Sequence, residues 1–354
     1  MNARWRSLLI LLGVVAVGGA VLTWAWPTIA QTGKGGTEFA ADREPTTARG
    51  GPVVSITFDR ERAMQYLRDI CALGARFSGS AGFLKQVDLL EQHFTSHGAT
   101  VERQKFEARQ RSVPRPVTMI NLIARWNPQA KRRIIICTHY DTRPIADQEP
   151  NRNDWSRTFV GANDGGSGVA WMMEMAHHMK DLDLHVGVDF VCFDGEEFIF
   201  DNRPAEIGGD KYFFGSEYFA LTYANTLRSD PAAPRYLGAV LLDMIAGPNV
   251  KFFYEQHSYD TSGKLLQDIW TIAKEVKATA FVPRFGQAVL DDHLALQRVG
   301  IPAIDIVPTT ERFENRVFIS YPHWHRLTDV PENCHPDGLE QVARVLTVWM
   351  QRVR

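Results

Sequence analysis

Cysteine is scarce in this chain: Cys71, Cys137, Cys192 and Cys334 are the only four in 354 residues, and no two are spaced as CxxC. A disulfide framework and a thiolate zinc site are thereby excluded. Cys137 and Cys192 sit inside apolar runs and read as small buried hydrophobes. Net charge is scarce as well. The 39 Lys and Arg residues stand against 41 Asp and Glu, a formal charge of −2, which excludes a polybasic nucleic-acid binder. Apolar residues at 45% and charged residues at 23% exclude wholesale disorder and leave material for a large core. No repeat of fixed period occurs. The one glycine-rich turn, Gly161 to Gly168, lacks a P-loop lysine and carries an aspartate where a phosphate would approach, so a nucleotide cradle is not expected.

One long uncharged run is present. Arg4 and Arg6 precede Leu8 to Trp26, which is free of charge and long enough to span a bilayer core. Its length favours a retained anchor over a cleaved signal, although Thr28-Ile29-Ala30 offers a small-residue cleavage site. Residues 1–30 are therefore expected to be one transmembrane helix or signal segment. With the arginines held inside, the rest of the chain is expected outside the inner membrane, or secreted if the segment is cut. Residues 31–52, rich in Gly, Thr and Ala, read as a flexible tether, and residues 53–354 as one α/β domain, expected to be monomeric.

Within that domain, Asp59 to Leu73 and Ala81 to His97 carry apolar residues at helical spacing, each followed by a glycine stop. Thr100 to Ala108 and Val117 to Trp126 read as paired strands. Short apolar runs then alternate with helical stretches. The runs are Arg133–Cys137, Val186–Phe193, Leu237–Leu242 and Ile301–Val307; the helical patterns are Ser167–Met179, Ser216–Thr226, Thr261–Val276 and Pro336–Val353. That alternation implies an open, twisted, mostly parallel mixed sheet with helices on both faces.

Ligands of such sheets collect beyond the carboxyl ends of the strands. There this sequence places Thr138-His139-Tyr140-Asp141, Asp194-Gly195-Glu196-Glu197 and Asp243. Adjacent carboxylates at a strand end repel unless a cation or a shared proton compensates, so Glu196-Glu197 points to metal binding by one and proton transfer by the other. Asp164, at the start of a helical pattern, reads equally as a ligand or as a helix cap. In Tyr321-Pro322-His323-Trp324-His325 an imidazole can bind metal and an indole can wall a pocket. By itself, Asp291-Asp292-His293 reads as a helix start.

The ordered set His139-x-Asp141, Asp164, Glu196-Glu197, Asp243, Asp291-Asp292-His293 and Trp324-His325 resembles the exported zinc aminopeptidase family, and more narrowly its glutaminyl cyclases, over about residues 60–354. The cyclase side rests on Asp291 before Asp292, on Trp324 before His325 and on Leu241-Leu242-Asp243-Met244-Ile245. The resemblance implies one Zn2+ held by Asp164, Glu197 and His325, with Glu196 as general base and acid. It implies that Asp292 and Asp243 hydrogen-bond around the reacting amine and the departing amide, and that Trp324 walls the substrate. Peptide or protein N-termini would be the substrates. The sequence departs from animal cyclases after Glu197, where it has no tryptophan; Phe198 or Phe200 is expected to replace it. The stretch from Asp201 to Phe214 is also longer, and its acidic residues lack EF-hand spacing, so a solvated lid is expected there. The cysteine that would pair near Cys137 is absent. The alternative within the family is an aminopeptidase with two zinc ions, the second at His139 and Asp243.

Overall fold

The protein is described from a computed structural model over residues 53–311 and 319–354. The run Leu8 to Trp26 and the tether lie outside the described residues. No helix among the described residues is long and apolar enough to cross a membrane.

Two helices open the domain, α1 (Arg60–Cys71) and α2 (Ala81–Ser96). Asp59 and Ser80 cap them, each side chain accepting a backbone N–H of the first turn. The antiparallel pair β1 (Thr100–Ala108) and β2 (Val117–Trp126) follows. The alternating part then runs β3 (Arg132–His139), α3 (Gly166–Ala176), β4 (Gly187–Phe193), α4 (Phe214–Ser229) and β5 (Arg235–Leu242). It continues through β6 (Phe252–Tyr254), α5 (Gln256–Glu275), β7 (Phe281–Phe285), α6 (His293–Arg298), β8 (Ala303–Ile306) and α7 (Pro336–Arg352).

The main sheet has the order β1-β2-β4-β3-β5-β8, with β4, β3, β5 and β8 parallel and the β1-β2-β4 edge antiparallel. Strand alternation divides the core between its faces. Ile134, Ile136, Val188, Phe190, Val240, Leu242, Ile304 and Ile306 pack with apolar residues of α1, α2, α3, α5 and α7. Ile135, Cys137, Val191, Phe193, Ala239, Leu241 and Ala303 pack with Phe219 and Ala220 of α4 and with Ala295 and Leu296 of α6. Both faces are covered, which is why these strands read as unbroken apolar runs.

Two elements differ from the sequence expectation. Helix α5 starts at Gln256 rather than Thr261, because Glu255 caps a polar first turn that joins the apolar part across a kink at Ser262. The parallel pair β6-β7 is too short to carry a period of its own.

Candidate active site

His139 ends β3, Glu196 and Glu197 follow β4, Asp243 follows β5, and Asp164 sits in the loop that enters α3. The strand ends therefore bring together residues far apart in sequence. Gly165 lets Asp164 approach: at φ +72°, a Cβ here would lie 2.8 Å from Cε1 of His139. The Glu196-Glu197 turn is held by Asp141, whose carboxylate accepts the Glu196 N–H at 3.1 Å and the Glu197 N–H at 3.2 Å. Asp194 serves structure instead, accepting the Ser78 hydroxyl at 2.6 Å and the Ile120 N–H at 2.7 Å.

Nε2 of His325 lies 3.3 Å from Oε2 of Glu197 and 3.6 Å from Oδ2 of Asp164. On the other side of Asp164, Oδ1 lies 3.2 Å from Nε2 of His139, which is 3.4 Å from Oδ1 of Asp243. His139, Asp164 and Glu197 each offer one donor atom within 4.8 Å of the others. Oδ2 of Asp164, Oε2 of Glu197 and Oδ1 of Asp243 are buried and accept no hydrogen bond. Tetrahedral coordination with arms of about 2.0–2.1 Å sets neighbouring donor atoms about 3.3 Å apart. The spacing around His325 and the orphaned carboxylate oxygens therefore fit a divalent cation held by Asp164, Glu197 and His325.

The electrostatics agree. Burial, and then the charge of Asp164, pushes Glu197 up to about 7. Burial pushes Glu196 well above the usual carboxylate value, with Asp291, Glu197 and Asp292 adding to it and His139 opposing. Asp243 is raised by burial, and Asp291 is raised to about 7 by burial and by Asp243. Such crowding of buried carboxylates is costly without positive charge among them. The imidazoles answer it: against their own burial, His139 and His325 are held above the usual value by the carboxylates around them.

Glu196 is the least enclosed of the group, its side chain 14% exposed, and stands 4.0 Å from Nδ1 of His139. It is the carboxylate left outside the Asp164–Glu197–His325 triangle. Trp324 is half-buried, its ring 4.1 Å from that of His325 between centroids, and it packs against Met244, Val307, Ile319 and Tyr321. Phe198 lies in a different apolar cluster, stacked on Phe77 with Phe200 at its edge. Of the paired aspartates, Asp291 exerts the stronger charge effect on Glu196, whereas Asp292 is sealed from solvent at the start of α6. His323 turns away, its Nδ1 2.9 Å from the Thr328 hydroxyl.

Supporting residues that sequence reasoning missed come from loops. Nδ1 of His325 lies 3.0 Å from Oδ1 of Asp147. Asp147 is in turn gripped by Arg143, whose own N–H donates to Oε1 of Glu197 at 2.7 Å. Asp329 accepts the backbone N–H groups of Asn163 and Asp164 at 2.9 and 3.0 Å and the Tyr321 hydroxyl at 2.8 Å. The long segment after Glu197 is pinned rather than free: Asp210 is fully buried and accepts the N–H groups of Ser112, Phe200 and Asp201. Those bonds occupy the one buried acid of the segment, while half-buried Asp201 pairs with Arg203.

A model of peptidase family M28 matches residues 121–350. The crystal structure of Fimbriiglobus ruber glutaminyl cyclase is 42% identical, covers 87% of this chain and 100% of that one, and has a TM-score of 0.79. That of a Zn-dependent exopeptidase from Parabacteroides distasonis is 26% identical, covers 84% of this chain and 99% of that one, and has a TM-score of 0.73. Among curated proteins, the glutaminyl-peptide cyclotransferase of Boiga dendrophila is 25% identical over 66% of this chain, and the match spans 65% of that relative's length. The M28 match runs through every strand end that carries the acidic cluster, and the chain belongs to peptidase family M28, in its glutaminyl cyclase branch.

Proposed function

We propose that the chain is a zinc-dependent glutaminyl-peptide cyclotransferase, converting the amino-terminal glutamine of peptides to pyroglutamate with release of ammonia. The observation that carries this reading is an unligated, partly exposed Glu196 beside the Asp164–Glu197–His325 triangle, in a chain 42% identical to a glutaminyl cyclase. A zinc ion bound by those three side chains would supply Lewis acidity toward the γ-carboxamide oxygen. The remaining work falls to the protein. Glu196 accepts a proton as the α-amine nitrogen bonds to the carbonyl carbon of the γ-carboxamide, then donates it to the amide nitrogen as the bond between that carbon and the amide nitrogen breaks and ammonia departs. Its raised proton affinity suits a carboxyl that must hold a proton between the two steps. Asp243 and Asp291 would hold the amine and the departing amide, with Asp292 buried behind them, and Trp324 would wall the side chain of the substrate.

One observation favours a second reading, a two-zinc aminopeptidase. Asp164 faces His325 with one oxygen and His139 with the other, and Asp243 approaches His139, so a bridged pair of cations has its donors. Mass spectrometry of a Gln-initiated peptide incubated with the protein separates the two. Loss of one ammonia with the peptide intact supports cyclisation; release of free glutamine supports hydrolysis.

Leu8 to Trp26 supports placement in the inner membrane with the catalytic domain outside the cytoplasm. Protease accessibility in spheroplasts tests it.

A further inference from the structure

A second group of metal-ligating side chains stands apart from the acidic cavity, where α2 and α3 end. His93 lies in the last turn of α2, His97 is its C-cap, and His177 is the C-cap of α3. All three are half-buried, so solvent reaches them. The ring centroids of His97 and His177 are 4.1 Å apart and those of His93 and His97 4.4 Å. Nε2 of His97 and Nδ1 of His177 are 3.1 Å apart, near the about 3.3 Å that two tetrahedral donors on one zinc ion adopt. One ligand atom from each ring lies within 4.8 Å of the others.

Hydrogen bonds behind the rings fix which nitrogens are free. Nε2 of His93 is 2.8 Å from the Met173 carbonyl, and Nδ1 of His97 is 2.8 Å from the His93 carbonyl. A carbonyl only accepts, so both nitrogens carry their protons, and the lone pairs fall on Nδ1 of His93 and Nε2 of His97. Nε2 of His177 meets the Tyr66 hydroxyl at 2.7 Å, a partner able to donate or accept. This is how ligating histidines are held from behind. Two helix C-termini direct negative partial charge at the cluster. The nearby cation Arg62 is already bound to Glu174, at 2.5 and 2.7 Å. Burial also keeps His93 neutral, lowering it to about 4, and neutral imidazole is the ligating form.

We propose that His93, His97 and His177 form a second, non-catalytic site for a transition-metal ion of imidazole preference, with Zn2+ as the probe, clipping the ends of α2 and α3 together beside Tyr66 of α1. Without metal, the proton on Nδ1 of His177 bridges to His97 and the Tyr66 hydroxyl donates to Nε2. With metal, that proton moves to Nε2 and the Tyr66 hydroxyl turns to accept it. Metal–nitrogen bonds form, the N–H bond of His177 is broken at Nδ1 and remade at Nε2, and no net proton is released.

Equilibrium dialysis of the full chain at saturating free Zn2+, with zinc per chain measured by mass spectrometry, tests the site. His97→Ala and His177→Ala should each bind one equivalent less than the parent chain, and His185→Ala, at an exposed histidine paired with Asp183, should keep that equivalent. Equal zinc in the parent and in both cluster variants overturns the proposal. A readout without substitutions covers misfolded variants: diethylpyrocarbonate modification of His97 and His177, mapped by peptide mass. Zn2+ at about ten times its dissociation constant should slow it about tenfold, since only the metal-free fraction reacts. Unchanged rates overturn the proposal.

Discussion

Nδ1 of His325 faces Oδ1 of Asp147 at 3.0 Å, which leaves Nε2 turned toward Glu197 and Asp164. A carboxylate behind an imidazole sets the ring's tautomer and orientation and strengthens it as a ligand. Asp147→Ala should therefore weaken metal affinity roughly 10–100-fold, with the three ligands untouched. Competition against a chelator of known affinity measures this, and an unchanged affinity removes Asp147 from the site.

Replacing Glu196 by Gln keeps the shape of the side chain and removes the exchangeable proton. Ammonia release from a Gln-initiated peptide should fall by about 10²–10⁴-fold, while bound zinc per chain stays as in the parent. Retained turnover would mean another group moves the proton; lost zinc would place Glu196 among the ligands.

Trp324 presents its indole beside His325 and is supported by Met244 and Tyr321. Truncation to Ala removes apolar surface that would hold substrate before and during reaction alike. KM should rise by roughly tenfold with kcat little changed, the pattern of lost uniform binding. A drop in kcat at constant KM would contradict a passive wall.

Glu255 is completely buried at the start of α5, where it accepts the N–H groups of His257, Ser258 and Val289 and lies 3.4 Å from Nε2 of His293. Burial alone would raise its pKa; His293 and these donors instead lower it from 4.5 to about 2. The unfolded chain therefore binds this proton more readily than the folded one. The stability contributed by the carboxylate is complete above about pH 4.5 and is lost as pH falls toward 2. Glu255→Gln should be less stable than the parent at neutral pH by up to about 3 kcal/mol, with the gap closing through that acid window. Urea unfolding across pH measures it, and a gap that does not narrow would assign the loss to packing.

The sheet was legible in the sequence because its central strands are buried on both faces and most of its helices carry one apolar stripe, α3 being buried all round, so burial alone punctuated the chain. His139, Glu197 and Asp243 stood out because polar groups directly after apolar strands have little reason to be there but chemistry, whereas Asp164, just ahead of α3, read equally as a helix cap. Asp147 and Asp329 were not. Each looks like any loop aspartate until the fold sets Asp147 behind a histidine far along the chain and Asp329 beneath the amides of Asn163 and Asp164. Asp291 and Asp292 could not be told apart either: they are neighbours, and only the entry into α6 decides that Asp292 is the more deeply buried of the two.

Asp329 grips the backbone of the Asp164 loop from the same turn that carries His325. Two of the three side chains proposed to hold zinc are therefore carried by one hydrogen-bonded unit. The cavity should change between loaded and unloaded arrangements as one latch opening, with both arms released together.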